Sequence, residues 1–427
     1  MNVYENSIVK IEKDTWTLEA KTTKKGKEYR LFTLVRDGLS VFEILRNSNG
    51  MLTVNFGTEG KTCVRLLGRL DDGTNTIRVV NLGVIYQLII NGVLADEDYP
   101  LKNIDINGTE CRQNLIDASL RFEKAERMLP FTVGEVTTVE KLAHDSENCY
   151  FGDCMPFWHD GVYHLFYLYD RRRHGSKCGY GGHIWAHIST TDLVNWKRHE
   201  HAVTIDDFNE TSFRTGSVVY WKGLFYAFYV IRMPDGIPSP IAYSVSDDGE
   251  HFVKSKNYFY LDERYDNKGL RDPNVFIGED GRLNMFLTTK IMSPDNNHKG
   301  CILHLTADDV DFWSIDEEPF LTVDINEYPE CSDYFYMNGR YYFSYCIFSV
   351  SHYMISDKPM SGFEYVPEQL LGGNGFVVPK TARFFDRRIA AGFSWVPYFA
   401  YAGDPVFLEI FTNDDGTLRF EVPQELL

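Results

Sequence analysis

Three acidic residues open short apolar strands in this 427-residue chain. Asp153 lies in Gly152-Asp153-Cys154-Met155-Pro156, Asp272 in Leu270-Arg271-Asp272-Pro273 and Glu330 in Pro329-Glu330-Cys331. Each strand reaches a glycine turn at Gly161, Gly281 or Gly339, eight or nine positions after its acid, and returns as an aromatic strand. Self-similarity of this kind marks a repeat architecture. Repeats set in a ring bring equivalent positions onto one axis, so the three carboxyls are expected to line one pocket. Converging carboxylates repel and raise one another's pKa, which a fold has no structural reason to accept. The chemistry expected of them is acid–base or nucleophilic.

The elements that must position these acids repeat as well. Five segments share a strand–turn–aromatic strand pattern: Pro156–Tyr167, Val218–Tyr229, Val275–Thr289, Tyr334–Tyr345 and Ala382–Trp395. The fifth turns at Asp386-Arg387-Arg388 without a glycine. Each is followed by an outer hairpin with its own signature, as in Ile188-Ser189-Thr190-Thr191-Asp192 with Trp196, or Leu305-Thr306-Ala307-Asp308 with Trp313. Four strands per unit, recurring every 50 to 60 residues or so, predict a five-bladed β-propeller.

Asp153, Thr215, Asp272, Glu330 and Lys380 are then expected at matched first-strand positions around the channel mouth. The links between second and third strands share that face, placing Arg171–Lys177 and Arg232–Gly236 at the rim. An arginine run is ordinarily solvated, but its guanidinium forks also suit substrate hydroxyls or an acidic group. His183, Trp185 and His187 alternate along one strand and face one side. No third ligand is evident beside them, so packed histidines rather than a metal are expected. Cys154 and Cys331 flank two acids without a histidine partner and read as small buried residues.

Ahead of the repeats, residues from about 10 to about 130 alternate apolar and polar with frequent turns. Tyr29–Val35 shows no helical period, and Val84–Ile90 runs into the turn Asn91-Gly92. These are signs of a β-sandwich. The stretch Leu88–Leu94 resembles the closing hairpin of laminin-G or concanavalin-like jelly rolls. The expected fold is all-β, with a sandwich over 1–137 and a catalytic five-bladed propeller over 138–427. No Gly/Ser- or Pro-rich linker lies near 130–148, so the sandwich is expected to dock rigidly with a mainly structural role.

Composition narrows the partners. A net charge of −18 argues against nucleic acid and anionic membrane. The 15% aromatic content suits β structure and carbohydrate stacking. No apolar run reaches the ~18 residues of a transmembrane helix, and Met1–Asn6 shows no signal-peptide pattern. Eight scattered cysteines without a C-x-x-C pair read as reduced thiols. A cytoplasmic enzyme without cofactor is expected, with an oligosaccharide or glycoside as partner.

The propeller resembles glycoside hydrolase family 32, the invertases and fructanases. Arg271-Asp272-Pro273 and Glu330-Cys331, with Asp333 following, match its Arg-Asp-Pro and Glu-Cys motifs. Trp185-Ala186-His187…Ser189…Asp192-Leu193-Val194…Trp196 is similar to its Trp-Gly-His stretch, and Thr215-Gly216-Ser217 stands where the family has Ser-Gly-Ser. Asp153 is retained from the nucleophile motif, but the Asn, Pro and Asn around it are not. The family's sandwich also follows its propeller, whereas here a sandwich-like stretch precedes it. The resemblance implies Asp153 as nucleophile, Glu330 as acid/base and Asp272 as transition-state stabiliser. It further implies a sugar-binding set of Arg271, Thr215, Ser217, Trp158, Trp185, His187, Asp333, Lys380 and Arg173. Carboxyls about 5–5.5 Å apart give a retaining fructosidase, the expected mechanism, and about 6.5–9.5 Å an inverting one. The alternatives are an inverting arabinosidase or xylosidase of glycoside hydrolase family 43, and a non-catalytic carbohydrate-binding propeller.

Overall fold

A computed structural model describes residues 6–10, 15–26, 29–58, 61–121, 125–142, 148–366, 371–372, 375–394 and 401–427. Two five-stranded antiparallel sheets form the N-terminal sandwich. One orders Ile116–Arg121, Trp16–Thr23, Thr74–Asn81, Tyr86–Ile90 and Val93–Asp98. The other orders Lys61–Arg69, Met51–Thr58, Leu39–Arg46, Arg30–Arg36 and Glu110–Gln113. Alternating apolar positions fill the space between them, where Trp16, Phe32, Phe42, Phe56 and Tyr86 pack edge to face, stacked or tilted. Asn91 (φ 51°) and Gly92 (φ 84°) both take the left-handed conformation that a two-residue hairpin requires.

Five antiparallel sheets follow, and their innermost strands touch in sequence round a ring. These strands are Cys149–His159, Ser217–Trp221, Arg271–Ile277, Glu330–Met337 and Phe376–Phe384. The ring closes where Phe151 and Gly403 exchange backbone hydrogen bonds of 3.1 and 2.9 Å, tying blade one to blade five. Blade one gains an extra edge strand, Val136–Thr138, paired with Asn195–Arg198. The outer-hairpin signature has a local cause. Thr190 Oγ1 accepts the Leu193 N–H and Asp192 accepts those of Val194 and Asn195, while the Trp196 indole N–H donates to Leu193 O. Trp395, the end of the fifth repeat, lies outside the described residues.

The matched positions expected for the acids are in fact staggered. In blades one, three, four and five, two residues of the inner strand oppose one on the next strand. The pairs are Gly152-Asp153, Asp272-Pro273, Cys331-Ser332 and Val378-Pro379. Aligned on these bulges, Asp272 is a first bulge residue, Asp153 a second, Glu330 the residue before and Lys380 the residue after. A bulge bends its strand and re-aims side chains. Asp272 (φ 57°), Cys331 (φ 51°) and Val378 (φ 42°) open their bulges in left-handed conformation, a strain of about 1–3 kcal/mol each that the surrounding sheet imposes. Three acids from three register positions thereby reach one cavity.

The sandwich docks on blade one largely through charge. Asp96, Glu97 and Asp98 close its edge strand, and all three are buried. Arg171 pairs with Glu97, and Arg172 with both Asp96 and Asp98. Asp98 also accepts the Ser176 hydroxyl and the Lys177 N–H. Ile85 and Tyr99 add apolar contact with the blade core. Two members of the arginine run are thus held in the contact between the domains rather than solvated.

Candidate active site

Above the channel lies a cavity of about 420 Å³ lined by Asp153, Asp272 and Glu330 together with Thr215, Arg271, Arg214, Arg232, His174, His183 and Tyr401. Asp153 is held from two sides. Tyr401 donates its hydroxyl to Oδ1 at 2.7 Å, and Thr215 donates to Oδ2. The Cys331 thiol lies 3.4 Å from that second oxygen and 3.5 Å from Asp272 Oδ2, which also accepts the Cys331 N–H at 2.8 Å. Glu330 Oε1 accepts Arg271 Nη1 at 2.5 Å, and the guanidinium lies 3.9 Å over the Tyr328 ring.

Burial sets the electrostatics. It pushes Asp153 above the usual carboxylate range, against the Thr215 and Tyr401 hydrogen bonds and with help from the Glu330 charge. Asp272 is raised by burial and by Asp153, with Arg271 pulling the other way. Glu330 is likewise raised by burial and by Asp272, again against Arg271. Burial and the surrounding carboxylates push the Cys331 thiol up, so it is a protonated donor rather than a nucleophile.

The cavity brings together Asp153, Asp272, Glu330, Arg271 and Thr215. Trp158, Ser217, Asp333 and Lys380 lie lower, lining a second space of about 440 Å³ along the channel. Lys380 Nζ donates to Gly216 O at 2.9 Å, and the Asp333 carboxylate accepts the Thr381 N–H and hydroxyl, so both close the ring between blades. Trp185 and His187 do not reach the cavity. Trp185 is buried, its indole donating to Arg214 O at 3.1 Å, and His187 is sandwiched between Phe166 and His199. Arg173 instead bonds Tyr401 O and Ala402 O, at 3.2 and 2.7 Å, over the Tyr150 ring. Packing explains each displacement: alternation along a strand fixes which side a residue faces, not whether that side is the channel or the neighbouring blade.

Sequence reasoning passes over Tyr401 and Arg214, and reaches His174, which lines the cavity, only as a member of the Arg171–Lys177 rim link. One signal was available for Tyr401. A Cβ on Gly152 would meet the Tyr401 hydroxyl at 2.6 Å, so the glycine that replaces the expected Asn beside Asp153 leaves room for this phenol.

The glycosyl hydrolases family 32 N-terminal domain matches residues 154–387, more than half of the chain, starting one residue after Asp153. The chain belongs to glycosyl hydrolases family 32. Among family 32 relatives, sucrose-6-phosphate hydrolase of Bacillus subtilis (strain 168) is 34% identical over 127 residues, 29% of this chain and 25% of that protein. Fructan 1-exohydrolase of Hordeum vulgare is 27% identical over 202 residues, 42% and 30% of the two chains. The matches thus span about a quarter to a third of these relatives' lengths. Fructan 1-exohydrolase IIa of Cichorium intybus superposes with a TM-score of 0.53 at 17% identity, over 70% of this chain and 62% of that one. Sucrose-6-phosphate hydrolase of Lactobacillus gasseri gives 0.51 at 16%, over 65% and 63%. These likenesses show the propeller fold that family 32 shares.

Proposed function

We propose that this family 32 chain is a glycoside hydrolase that cleaves a fructoside-type furanoside bond with retention. The observation that carries this is Asp153, Asp272 and Glu330 on one cavity, with Asp153 fixed at both oxygens by Tyr401 and Thr215. Those donors favour the ionised form, as a nucleophile needs. An Asp153 oxygen attacks the anomeric carbon, forming an ester as the glycosidic C–O bond breaks. Glu330 gives the leaving oxygen its proton. Because Oε1 holds Arg271, that proton sits on Oε2, and burial favours its retention toward neutral pH. Glu330 then takes a proton from water, whose oxygen attacks the same carbon and frees Asp153. Asp272, held by the Cys331 N–H, faces the charge that develops on the sugar.

Arg214 and Arg232 also line the cavity, and neither has a carboxylate ion pair among the described residues. They support an anionic substituent on the substrate, such as the phosphate in the names of the bacterial relatives. Among the described residues no helix is long and apolar enough to cross a membrane. The buried free thiols of Cys154, Cys301, Cys331 and Cys346 suit a reducing, cytoplasmic setting. We take the sandwich domain, expected over 1–137, to end before Val136, because Val136–Thr138 pairs within blade one; it has a mainly structural role, and the remainder, expected over 138–427, is the catalytic propeller. The test is a screen of the full chain on fructosides with and without phosphate, arabinofuranosides and xylosides, with product anomers followed by NMR. Retained configuration on a fructoside supports the reading. Inversion, or turnover confined to pentosides, overturns it.

A further inference from the structure

Beside the carboxyls the cavity holds a cluster that the hydrolytic mechanism does not use. Asp170 is the penultimate residue of the second strand of blade one (Val162–Arg171), His174 lies in the link that follows, and His183 precedes the third strand (Ile184–Thr190). His183 Nε2 lies 2.8 Å from Asp170 Oδ1 and 3.0 Å from His174 Nδ1, with 3.8 Å between the last two. We propose that Asp170, His174 and His183 bind one divalent transition-metal ion, of the zinc type, with an open position facing the sugar cavity.

Three observations carry this. The first is geometric. Two ligand atoms about 2.1 Å from one ion stand about 3.0 Å apart at a right angle and about 3.4 Å apart at the tetrahedral angle. The three separations, 2.8, 3.0 and 3.8 Å, straddle that range. The second is hydrogen accounting. A hydrogen on His183 Nε2 aimed at Asp170 leaves that nitrogen no lone pair for a His174 donor, so without a metal His174 Nδ1 can only share that one hydrogen as a second acceptor. Without that hydrogen, Nε2 and the carboxylate oxygen turn lone pairs on each other at 2.8 Å. A cation takes all three lone pairs at once. The third is an orphan: Asp170 is fully buried, and its Oδ2 has no hydrogen-bond partner among the described residues.

The supports around the cluster are those of a built site. Asp170 Oδ1 accepts the His174 backbone N–H at 2.9 Å. The loop is wound through three consecutive left-handed residues, Arg172, Arg173 and His174, with φ of 57°, 48° and 69°. Tyr401 stacks on both imidazoles, at 4.1 and 5.3 Å, while its hydroxyl holds Asp153. Two imidazoles and one carboxylate select zinc, cobalt or nickel over magnesium or calcium. His174 and His183 line the cavity, so the open position meets solvent or sugar hydroxyls next to the nucleophile. An anchor of this kind fixes the ring that Asp153 attacks.

The experiment reads metal, not turnover. The full-length protein is stripped with chelator, its metal content measured by mass spectrometry, and zinc titrated by calorimetry. One zinc per chain at micromolar affinity or tighter is expected, with cobalt giving visible d–d bands. His174→Ala suits the test because its side chain is 47% exposed. It should lower zinc affinity at least 100-fold and abolish the cobalt bands, with an unchanged urea midpoint in the metal-free state. His183→Gln should do the same. Less than half an equivalent on the wild type, or a His174→Ala affinity within threefold, overturns the proposal and leaves a hydrogen shared on His183. Because no sugar is present, neither outcome bears on the hydrolase reading.

Discussion

Glu97→Gln is a sharp test of how the sandwich is tied to the catalytic blade. The Glu97 and Arg171 side chains are each 2% exposed, and Arg171 has no other carboxylate at bonding distance among the described residues. Glu97 also accepts Arg127 Nη2 at 2.9 Å and Gln87 Nε2 at 2.7 Å, so its charge neutralises a buried knot. The substitution keeps the shape and removes that charge, stranding a buried guanidinium. Breaking one side of a buried pair costs about 3–5 kcal/mol, whereas an exposed pair is worth about 0–1. Urea unfolding of the full chain, followed by tryptophan fluorescence, should show the larger loss. Adding Arg171→Met removes the stranded charge and should recover at least half of it, a double-mutant cycle that isolates the pair. A Glu97→Gln loss within about 1 kcal/mol would refute the reasoning and leave the charged interface ornamental.

Other expectations follow from the cavity itself. Glu330→Gln should slow substrates with poor leaving groups far more than activated aryl glycosides, since only the former need the proton; equal losses in steady-state kinetics would remove Glu330 from that role. Asp272 titrates above its unfolded value, so the folded chain binds more protons than the unfolded one once pH exceeds about 4. Its contribution therefore falls as pH rises through that window, and Asp272→Asn should melt higher than wild type at pH 7 while losing activity; a lower melting temperature would contradict this. Gly152→Ala puts a methyl 2.6 Å from the Tyr401 hydroxyl and 3.0 Å from Leu168, and overpacking of this kind costs about 1–3 kcal/mol. Unfolding and activity should both show it, and unchanged kcat/KM would mean that Tyr401 does not orient Asp153.

The repeat and its three acids could be read in the sequence because turn glycines and aromatic strands recur at fixed spacing. The register could not. A one-residue bulge leaves no periodic trace, so Glu330, Asp272 and Asp153 looked equivalent although they stand one step apart. Arg171 and Arg172 read as rim residues because nothing local tells of Asp96–Asp98, 73 or more positions earlier in the chain. Tyr401 was hidden for the same reason, meeting Asp153 across 248 positions where the ring closes. His183 reads as one alternating run with His187, whereas its partners come from the preceding strand and link.

The central claim is that Asp153 forms the covalent bond to the sugar. Acid quench of the enzyme during turnover of a fructoside, followed by peptide mass mapping, tests it most directly. The account predicts one hexosyl unit on the peptide carrying Asp153 and none in Asp153→Asn. A hexosyl unit on another carboxyl, or Asp153→Asn activity within about tenfold of wild type, roughly 1.4 kcal/mol of barrier, would contradict it.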